Sequence, residues 1–290
     1  MRRRLLVVLF ALVALLVTGC DLRLATPEGP APLRYRDAIF ATVTKTADVV
    51  YGEAPDQQGN QVTLKLDLYQ PVGDAVTARP LIVLVHGGSF KSGTKTSAEL
   101  VDQANVYAKE GYVVASISYR LAPNGCTSIT VECINAIKDA RHDAQAAVRF
   151  LRSKAADYGL DVDRVAMAGS SAGAITAVEV GYGPDDVGTS GTPGFDSSIR
   201  AAVSLSGAKI LTTADAGEAA VLMLHSSGDP VVPYQWATNT VTAANTAGTY
   251  IEMTTWDEAT HVPYAAHRTE ILSQTSNFLY WNLDLAHAAR

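Results

Sequence analysis

The chain has 290 residues, with 23 basic and 29 acidic side chains and a formal net charge of −6 at pH 7. An acidic surface repels phosphate backbones, which argues against nucleic acid as a partner. The length beyond the N-terminal region suffices for one large α/β domain and is too small for two of ordinary size.

The N-terminal residues indicate a targeting segment. Arginines at positions 2–4 precede an apolar run from Leu5 to Val17, which is shorter than the roughly 20 residues that a membrane-spanning helix needs. We expect a signal peptide over residues 1–19. Val17-Thr18-Gly19-Cys20 resembles a bacterial lipobox, which implies lipidation of Cys20; an ordinary cleaved signal with an incidental cysteine is the alternative.

The lipobox implies an exported lipoprotein, held on the outer side of the cytoplasmic membrane or in the cell envelope. A proline-rich stretch near Thr26–Pro32 predicts that residues 20–42 form a tether to a single folded domain over residues 43–290. Without the arginines of the signal peptide, 20 basic and 29 acidic side chains remain, a balance of −9.

In the folded domain, short apolar runs alternate with longer helical patterns, which predicts a mostly parallel sheet with helices on both faces. The predicted strands are Val62–Tyr69, Leu81–Val85, Val113–Ser118, Arg164–Ala168, Ala201–Leu205, Val221–His225 and Tyr250–Thr254. The predicted helices are Ser97–Glu110, Ile134–Tyr158, Ala172–Tyr182, Tyr234–Ala247 and Ala265–Leu285. The connection between Leu205 and Val221 is too short for a large lid domain.

Two cysteines lie seven positions apart in this domain, Cys126 and Cys133. In an exported chain such a pair predicts a disulfide that closes a small loop, and two unlinked thiols are the alternative. A zinc site is not favoured, because neither cysteine lies in a C-x-x-C pattern or near paired histidines. We expect no metal and no cofactor.

A G-x-S-x-G pattern lies between a predicted strand and a predicted helix, at Gly169–Gly173. That context is the one a nucleophile elbow requires. Its glycines let the backbone bend sharply and let the following helix approach the sheet. The pattern therefore predicts Ser171 as a nucleophile, although so short a motif also arises by chance.

A serine hydroxyl needs a base to take its proton and an acid to orient that base. The order Ser, Asp or Glu, then His is one known arrangement, and Ser171, Asp229 and His261 obey it. Asp229 directly follows a predicted strand, although Gly-Asp-Pro also suits a plain turn. His261 lies in a loop after the last predicted strand, whereas His142, His267 and His287 are interpreted as helix-surface residues and His225 as a strand residue.

Donors for an oxyanion are expected from the residue after the nucleophile and from the loop after the third strand of such a sheet. Ala172 supplies the first N–H group. The loop His86-Gly87-Gly88-Ser89-Phe90 supplies the second, because it opens directly after the run Leu81–Val85. A plain glycine-rich turn is the alternative interpretation of this loop.

Taken together, these segments resemble the α/β-hydrolase superfamily of serine esterases, particularly bacterial carboxylesterases and the acetyl- or feruloyl-esterase-like group. The resemblance runs from about Leu64 to Leu279 and rests on Leu66–Tyr69, His86–Gly88, Ser118–Pro123, Asp143–Leu151, Asp161–Gly173 and the loops that carry Asp229 and His261. Many relatives have a third glycine where this chain has Ser89, so the preferred size of the acyl group stays open.

The resemblance implies the α/β-hydrolase fold and an ester hydrolase that forms an acyl-enzyme, without a cofactor, on short-chain or carbohydrate-linked esters. It implies Ser171 as nucleophile, His261 as base and Asp229 as the residue that orients the base. It also places the oxyanion hole at the main-chain N–H groups of Gly88, Ser89 and Ala172.

Other interpretations compete with this one. A near match to a P-loop runs over residues 88–96, but one residue too many separates Gly93 from Lys95. S-x-x-K patterns begin at Ser92 and Ser206, without the S-D-N and K-T-G that accompany them in β-lactamases. A non-catalytic binding lipoprotein on the same fold and a serine peptidase also remain, and the sequence does not decide the oligomeric state.

Overall fold

The computed structural model describes residues 24–288 and is built around one eight-stranded sheet. The strand order is β1-β2-β4-β3-β5-β6-β7-β8. Its strands are β1 Val43–Pro55, β2 Gln61–Pro71, β3 Arg79–Val85, β4 Val113–Ser118, β5 Leu160–Ser170, β6 Ala201–Leu205, β7 Ala220–Ser226 and β8 Ile251–Trp256. The β1–β2 and β2–β4 pairs are antiparallel and the other neighbouring pairs are parallel, which confirms a mostly parallel sheet.

Helices cover both faces of the sheet, as predicted. They are α1 Ala98–Glu110, α2 Val131–Ser153, α3 Ala155–Tyr158, α4 Ala172–Gly181, α5 Tyr234–Ala247 and α6 Tyr264–Asn282. Helices α1 and α6 bury their apolar residues in one core, whereas α2, α4 and α5 contribute to the other. Within residues 24–288, no helix is long and apolar enough to cross a membrane.

Strand β3 lies at the centre of the sheet and every one of its residues is buried. Leu81, Val83 and Val85 pack into one core, and Ile82 and Leu84 pack into the other. Burying each such side chain stabilises the fold by about 1.5–3 kcal/mol. The continuous apolar run is thus the sequence signature of a strand covered on both faces.

Strand β1 was not predicted. It pairs with one neighbour only, through a register interrupted at Thr46–Val49 and at Val50–Gly52, and most of its side chains are at least partly exposed. A strand at the edge of a sheet needs no apolar run, so its polar sequence lacks the expected signal.

The predicted tether needs a correction, because residues 24–42 pack against the domain. Leu33 and Tyr35 are buried in the core that α1 and α6 cover. The Tyr35 N–H donates to the Glu110 carbonyl at 2.8 Å, and the Trp281 Nε1–H donates to the Ala25 carbonyl at 2.7 Å. Apolar burial outweighs the entropy of a free spacer here. The signal peptide, Cys20 and residues 21–23 lie outside the described residues.

Candidate active site

Ser171 lies at the sharp turn between β5 and α4, which end and begin at the residues on either side of it. Its backbone has φ 52° and ψ −116°, a conformation that L-residues rarely adopt. The Ser171 N–H donates to the Leu205 carbonyl at 2.9 Å, so the neighbouring strand β6 holds the turn. The hydroxyl therefore stands at the carboxyl edge of the sheet on a braced turn.

Two glycines make this turn sterically possible. A Cβ atom on Gly173 would overlap the carbonyl oxygen of Val85, and one on Gly169 would overlap the carbonyl group of Gly173. The first turn of α4 thus crosses the end of β3 at a distance that no side chain permits. This close approach is the reason for the glycine spacing seen in the sequence.

His261 lies between Ser171 and Asp229. Its Nδ1 is 2.8 Å from Oδ2 and 3.0 Å from Oδ1 of Asp229, and its Nε2 is 2.8 Å from the Ser171 Oγ. A ring that donates from Nδ1 to the carboxylate has an unprotonated Nε2, which accepts from the serine hydroxyl. Three residues far apart in sequence thus form one hydrogen-bonded chain.

The Asp229 carboxylate is held by its own loop. Its side chain is fully buried, and its Oδ1 accepts from the N–H groups of Val231 and Val232 at 2.8 and 3.1 Å. Nearby, the His225 Nε2 contacts the Val232 carbonyl at 3.0 Å. Burial lowers the pKa of His225, which keeps this second ring neutral beside the carboxylate.

The loop that carries His261 is fastened by Ser206, a residue that the sequence did not reveal in this role. The Val262 N–H donates to the Ser206 Oγ at 3.1 Å, and the Ser206 N–H donates to the Leu224 carbonyl at 2.8 Å. Both Ser206 and Val262 have a positive φ, 59° and 53°. The position of Ser206 directly after β6 was the available signal, because that edge of the sheet carries the site.

The loop after β3 has a run of left-handed backbone at Gly88, Ser89 and Phe90, with φ of 111°, 52° and 58°. Within the described part of the chain, the N–H groups of Gly88, Ser89 and Ala172 donate to no protein acceptor. Ala172 is also the first residue of α4, where the helix dipole adds positive potential. Free N–H donors of this kind can bind a negatively charged oxygen.

His86 supports the same loop and is unsuited to be the base. Its ring stacks on Tyr119 with centroids 4.2 Å apart, and its Nδ1 lies 2.7 Å from the Gly87 carbonyl. Burial lowers the pKa of His86 to about 4. The ring is therefore neutral near pH 7 and packs the loop in place.

A further carboxyl group, Glu99, contacts the nucleophile turn. It lies in the first turn of α1 and accepts a hydrogen bond from the Ser170 Oγ. Burial raises the pKa of Glu99 against the lowering effect of that hydroxyl. The contact ties α1 to the turn, and no sequence signal connects the two residues, which are 71 positions apart.

Cys126 and Cys133 are joined by a disulfide. The segment that it closes borders a cavity of about 60 Å³ beside Ser171. Trp236 also lines this cavity. Tyr234 does not line it, and its hydroxyl is hydrogen-bonded to Thr255 Oγ1 at 3.0 Å.

The lysines of the two S-x-x-K patterns are engaged elsewhere. Lys95 Nζ forms an ion pair with the buried Asp67 at 2.6 Å, and Lys209 Nζ donates to the Thr212 carbonyl at 2.8 Å. Neither lysine is placed to activate a serine, so these patterns are turn sequences.

Family models match most of the folded domain. The BD-FAE model matches residues 66–209, and the model described as TAP-like protein matches residues 202–280. The first match covers Ser171, the predicted nucleophile, and the loop after β3 that carries Gly88, Ser89 and Phe90, here called the oxyanion loop. The second match covers Asp229 and His261.

Among individual proteins, the chain is similar to "Probable isoprenylcysteine alpha-carbonyl methylesterase ICMEL1" of Oryza sativa subsp. japonica, with 34% identity over 126 residues, 43% of this chain and 25% of that protein. It is also similar to Lipase 1 of Geotrichum candidum, with 31% identity over 139 residues, 44% of this chain and 24% of that protein. The chain thus spans about a quarter of the length of these relatives.

Among solved structures, a thermophilic esterase from Thermogutta terrifontis, Est2, superposes with a TM-score of 0.68 and 22% identity, covering 86% of this chain and 95% of that one. This likeness confirms the predicted fold, a mostly parallel α/β-hydrolase sheet with helices on both faces. Together with the two family matches, it shows that the chain has the α/β-hydrolase fold.

Proposed function

We propose that this protein is a serine carboxylic ester hydrolase that works through an acyl-enzyme on Ser171. One observation carries the proposal: His261 contacts both Asp229 and the Ser171 Oγ through its two ring nitrogens. Esterases and lipases among the similar proteins support the same reaction class. The predicted roles of nucleophile, base and orienting acid go to these three residues.

The reaction follows from the geometry. The Ser171 Oγ attacks the ester carbonyl carbon while His261 Nε2 takes the hydroxyl proton, and the negative oxygen meets the N–H groups of Gly88, Ser89 and Ala172. The C–O bond to the alcohol then breaks, and His261 returns its proton to the leaving oxygen. Water, deprotonated by the same ring, attacks the acyl-enzyme and releases the acid and the free serine.

Asp229 contributes without giving up its charge. Its carboxylate fixes the ring so that Nε2 faces Ser171, and it stabilises the imidazolium that forms during the attack. Short-chain and carbohydrate-linked esters are the proposed substrates, because the cavity beside Ser171 is small and the loop between β6 and β7 is short.

The test is covalent labelling with paraoxon, the reagent with which a similar esterase of Thermogutta terrifontis was phosphorylated. We expect the Ser171 Oγ to form a bond to phosphorus with release of one p-nitrophenolate per chain. Mass spectrometry should find the phosphoryl group on the peptide that contains Ser171.

The Ser171→Ala variant is the control for this labelling, and it should release no p-nitrophenolate above the rate of buffer alone. Labelling of another residue, or none in folded wild type, would point to the binding-protein alternative. Activity on a chromogenic amide equal to that on the matched ester would instead favour a peptidase.

We also propose that the protein is exported and anchored to the membrane by a lipid on Cys20. The disulfide between Cys126 and Cys133 supports export, because such bonds persist in oxidising compartments. Metabolic labelling with a tagged fatty acid in a bacterial host should mark the wild type and not Cys20→Ser. Equal labelling of both would exclude this anchor.

A further inference from the structure

The cavity beside Ser171 is placed to receive one arm of an ester. Ser89 and Ala172 line it together with the nucleophile, so a carbonyl oxygen at their N–H groups directs an arm inward. The leaving alcohol must reach His261 Nε2 to receive its proton, and His261 does not line the cavity. The arm that enters is therefore the acyl group.

The volume of the cavity limits that acyl group. It measures about 60 Å³, whereas an apolar cavity known to bind a benzene ring measures about 150 Å³. There is room for a few carbon atoms, as in acetyl to butyryl groups. A longer chain fits inside only if one of the walls moves.

One wall is the disulfide-closed segment, residues 126–133. Cys126, Ile129 and Cys133 from this segment line the cavity. Cys133 is buried in the first turn of α2, and its N–H donates to the Thr130 hydroxyl that caps the helix at 3.2 Å. The disulfide thus fixes Cys126, at the loop end of the segment, to helix α2.

The same segment and the residues just before it are hydrogen-bonded to the oxyanion loop. The Cys126 N–H donates to the Ser89 carbonyl at 2.8 Å, and the Ala122 N–H donates to the Phe90 carbonyl at 2.8 Å. Ser89 and Phe90 are the two non-glycine residues of this loop that adopt a positive φ. Such backbone persists only where neighbouring groups hold it.

We propose that the disulfide-closed segment limits the enzyme to short acyl groups and holds the Ser89 N–H in place for the oxyanion. This inference rests on the proposed esterase function and deepens it. Opening the disulfide should let the wall move away from the cavity, which should change the selectivity for the acyl group. It should also loosen the oxyanion loop, which should lower the turnover rate.

The experiment compares p-nitrophenyl acetate, butyrate and hexanoate with wild type and with the double variant Cys126→Ser/Cys133→Ser. In the variant, the ratio of kcat/KM for hexanoate to that for acetate should rise about tenfold, because longer chains gain apolar contacts. The kcat for acetate should fall about tenfold as the oxyanion donor loses its position.

Val131→Ala is the matched control, because Val131 lies in the same segment, is exposed and does not line the cavity. Its ratio of kcat/KM for hexanoate to that for acetate should equal the ratio of wild type. If the double variant fails to fold, Ile129→Ala serves instead, since Ile129 lines the cavity but is half exposed, and its ratio should rise about threefold.

An unchanged ratio in the folded double variant, or in Ile129→Ala, overturns the inference, even if the melting temperature falls. Folded wild type without activity on any of the three esters refutes the proposed function instead. The two failures are therefore distinguishable.

Discussion

Replacing Ser171 with alanine is expected to lower kcat for p-nitrophenyl acetate by about 10⁴- to 10⁶-fold, with little change in KM. The variant has no hydroxyl to form the acyl-enzyme, and the oxyanion donors and binding alone leave a small residual rate. Asp229→Asn should lower kcat by about 10⁴-fold, because an amide that donates to His261 turns the ring to the wrong tautomer. Steady-state kinetics on purified, folded variants measures both losses.

The three residues act as a unit, which gives a second test of the same arrangement. Adding His261→Ala to Ser171→Ala should lower the rate little further. Asp257→Asn is the matched control for Asp229→Asn, because this exposed carboxylate lies near the same loops and contacts Ser227. It should retain nearly full activity. A loss in Asp257→Asn as large as that in Asp229→Asn would refute the assignment of the acid.

Replacing Arg120 with methionine is expected to lower the free energy of unfolding by about 3–5 kcal/mol, because it leaves a buried carboxylate without its cation. Asp143 is fully buried, and Arg120 Nη2 lies 2.8 Å from its Oδ1. The guanidinium also donates to the Pro55 carbonyl at 2.8 Å and to the Ser190 Oγ at 3.1 Å. This one side chain joins the end of β4 to α2, β1 and the 183–198 loop.

The pH dependence of that loss has a defined sign. Burial raises the pKa of Asp143 even beside Arg120, and without the cation the pKa should rise further. A carboxyl group with a raised folded-state pKa stabilises the fold below its unfolded pKa, and this contribution is lost as pH rises. The difference in the free energy of unfolding between wild type and Arg120→Met should therefore be largest near pH 8 and smaller toward pH 4.5.

Urea unfolding at these two pH values measures the effect. The control is Arg268→Met, which removes a more exposed ion pair with Asp102 and should cost less than about 1 kcal/mol. Adding Asp143→Leu to Arg120→Met should recover part of the stability, because no buried charge then remains. If Arg120→Met lost no more unfolding free energy than Arg268→Met, or if its loss increased toward low pH, the proposed role of the Arg120–Asp143 pair would be contradicted.

Much of the fold was predictable because its signals are local. Strands such as β3 and β4 lie inside the sheet, so burial on both faces forces continuous apolar sequences. The turn at Ser171 was predictable because its glycines are required by the approach of α4 to Val85. Strand β1 was missed because an exposed edge strand is under no such constraint.

The site was predictable only in part. Ser171, Asp229 and His261 follow three parallel strands, whose carboxyl ends share one edge of the sheet, so their order in sequence carries information. Glu99 and Ser206 reach the site through side-chain contacts across long sequence separations, for which no periodicity or motif exists. The wall formed by residues 126–133 likewise depends on tertiary packing.

The docking of residues 24–42 also fixes where a lipid at Cys20 would lie. Three residues separate Cys20 from Leu24, and an extended peptide advances about 3.5 Å per residue, so four such steps would place the bilayer within about 14 Å of the globule. Ala25 meets the far end of α6, a helix of 19 residues whose first turn adjoins His261. The catalytic mouth would then open outward, toward esters in solution or in the cell wall and away from those dissolved in the membrane.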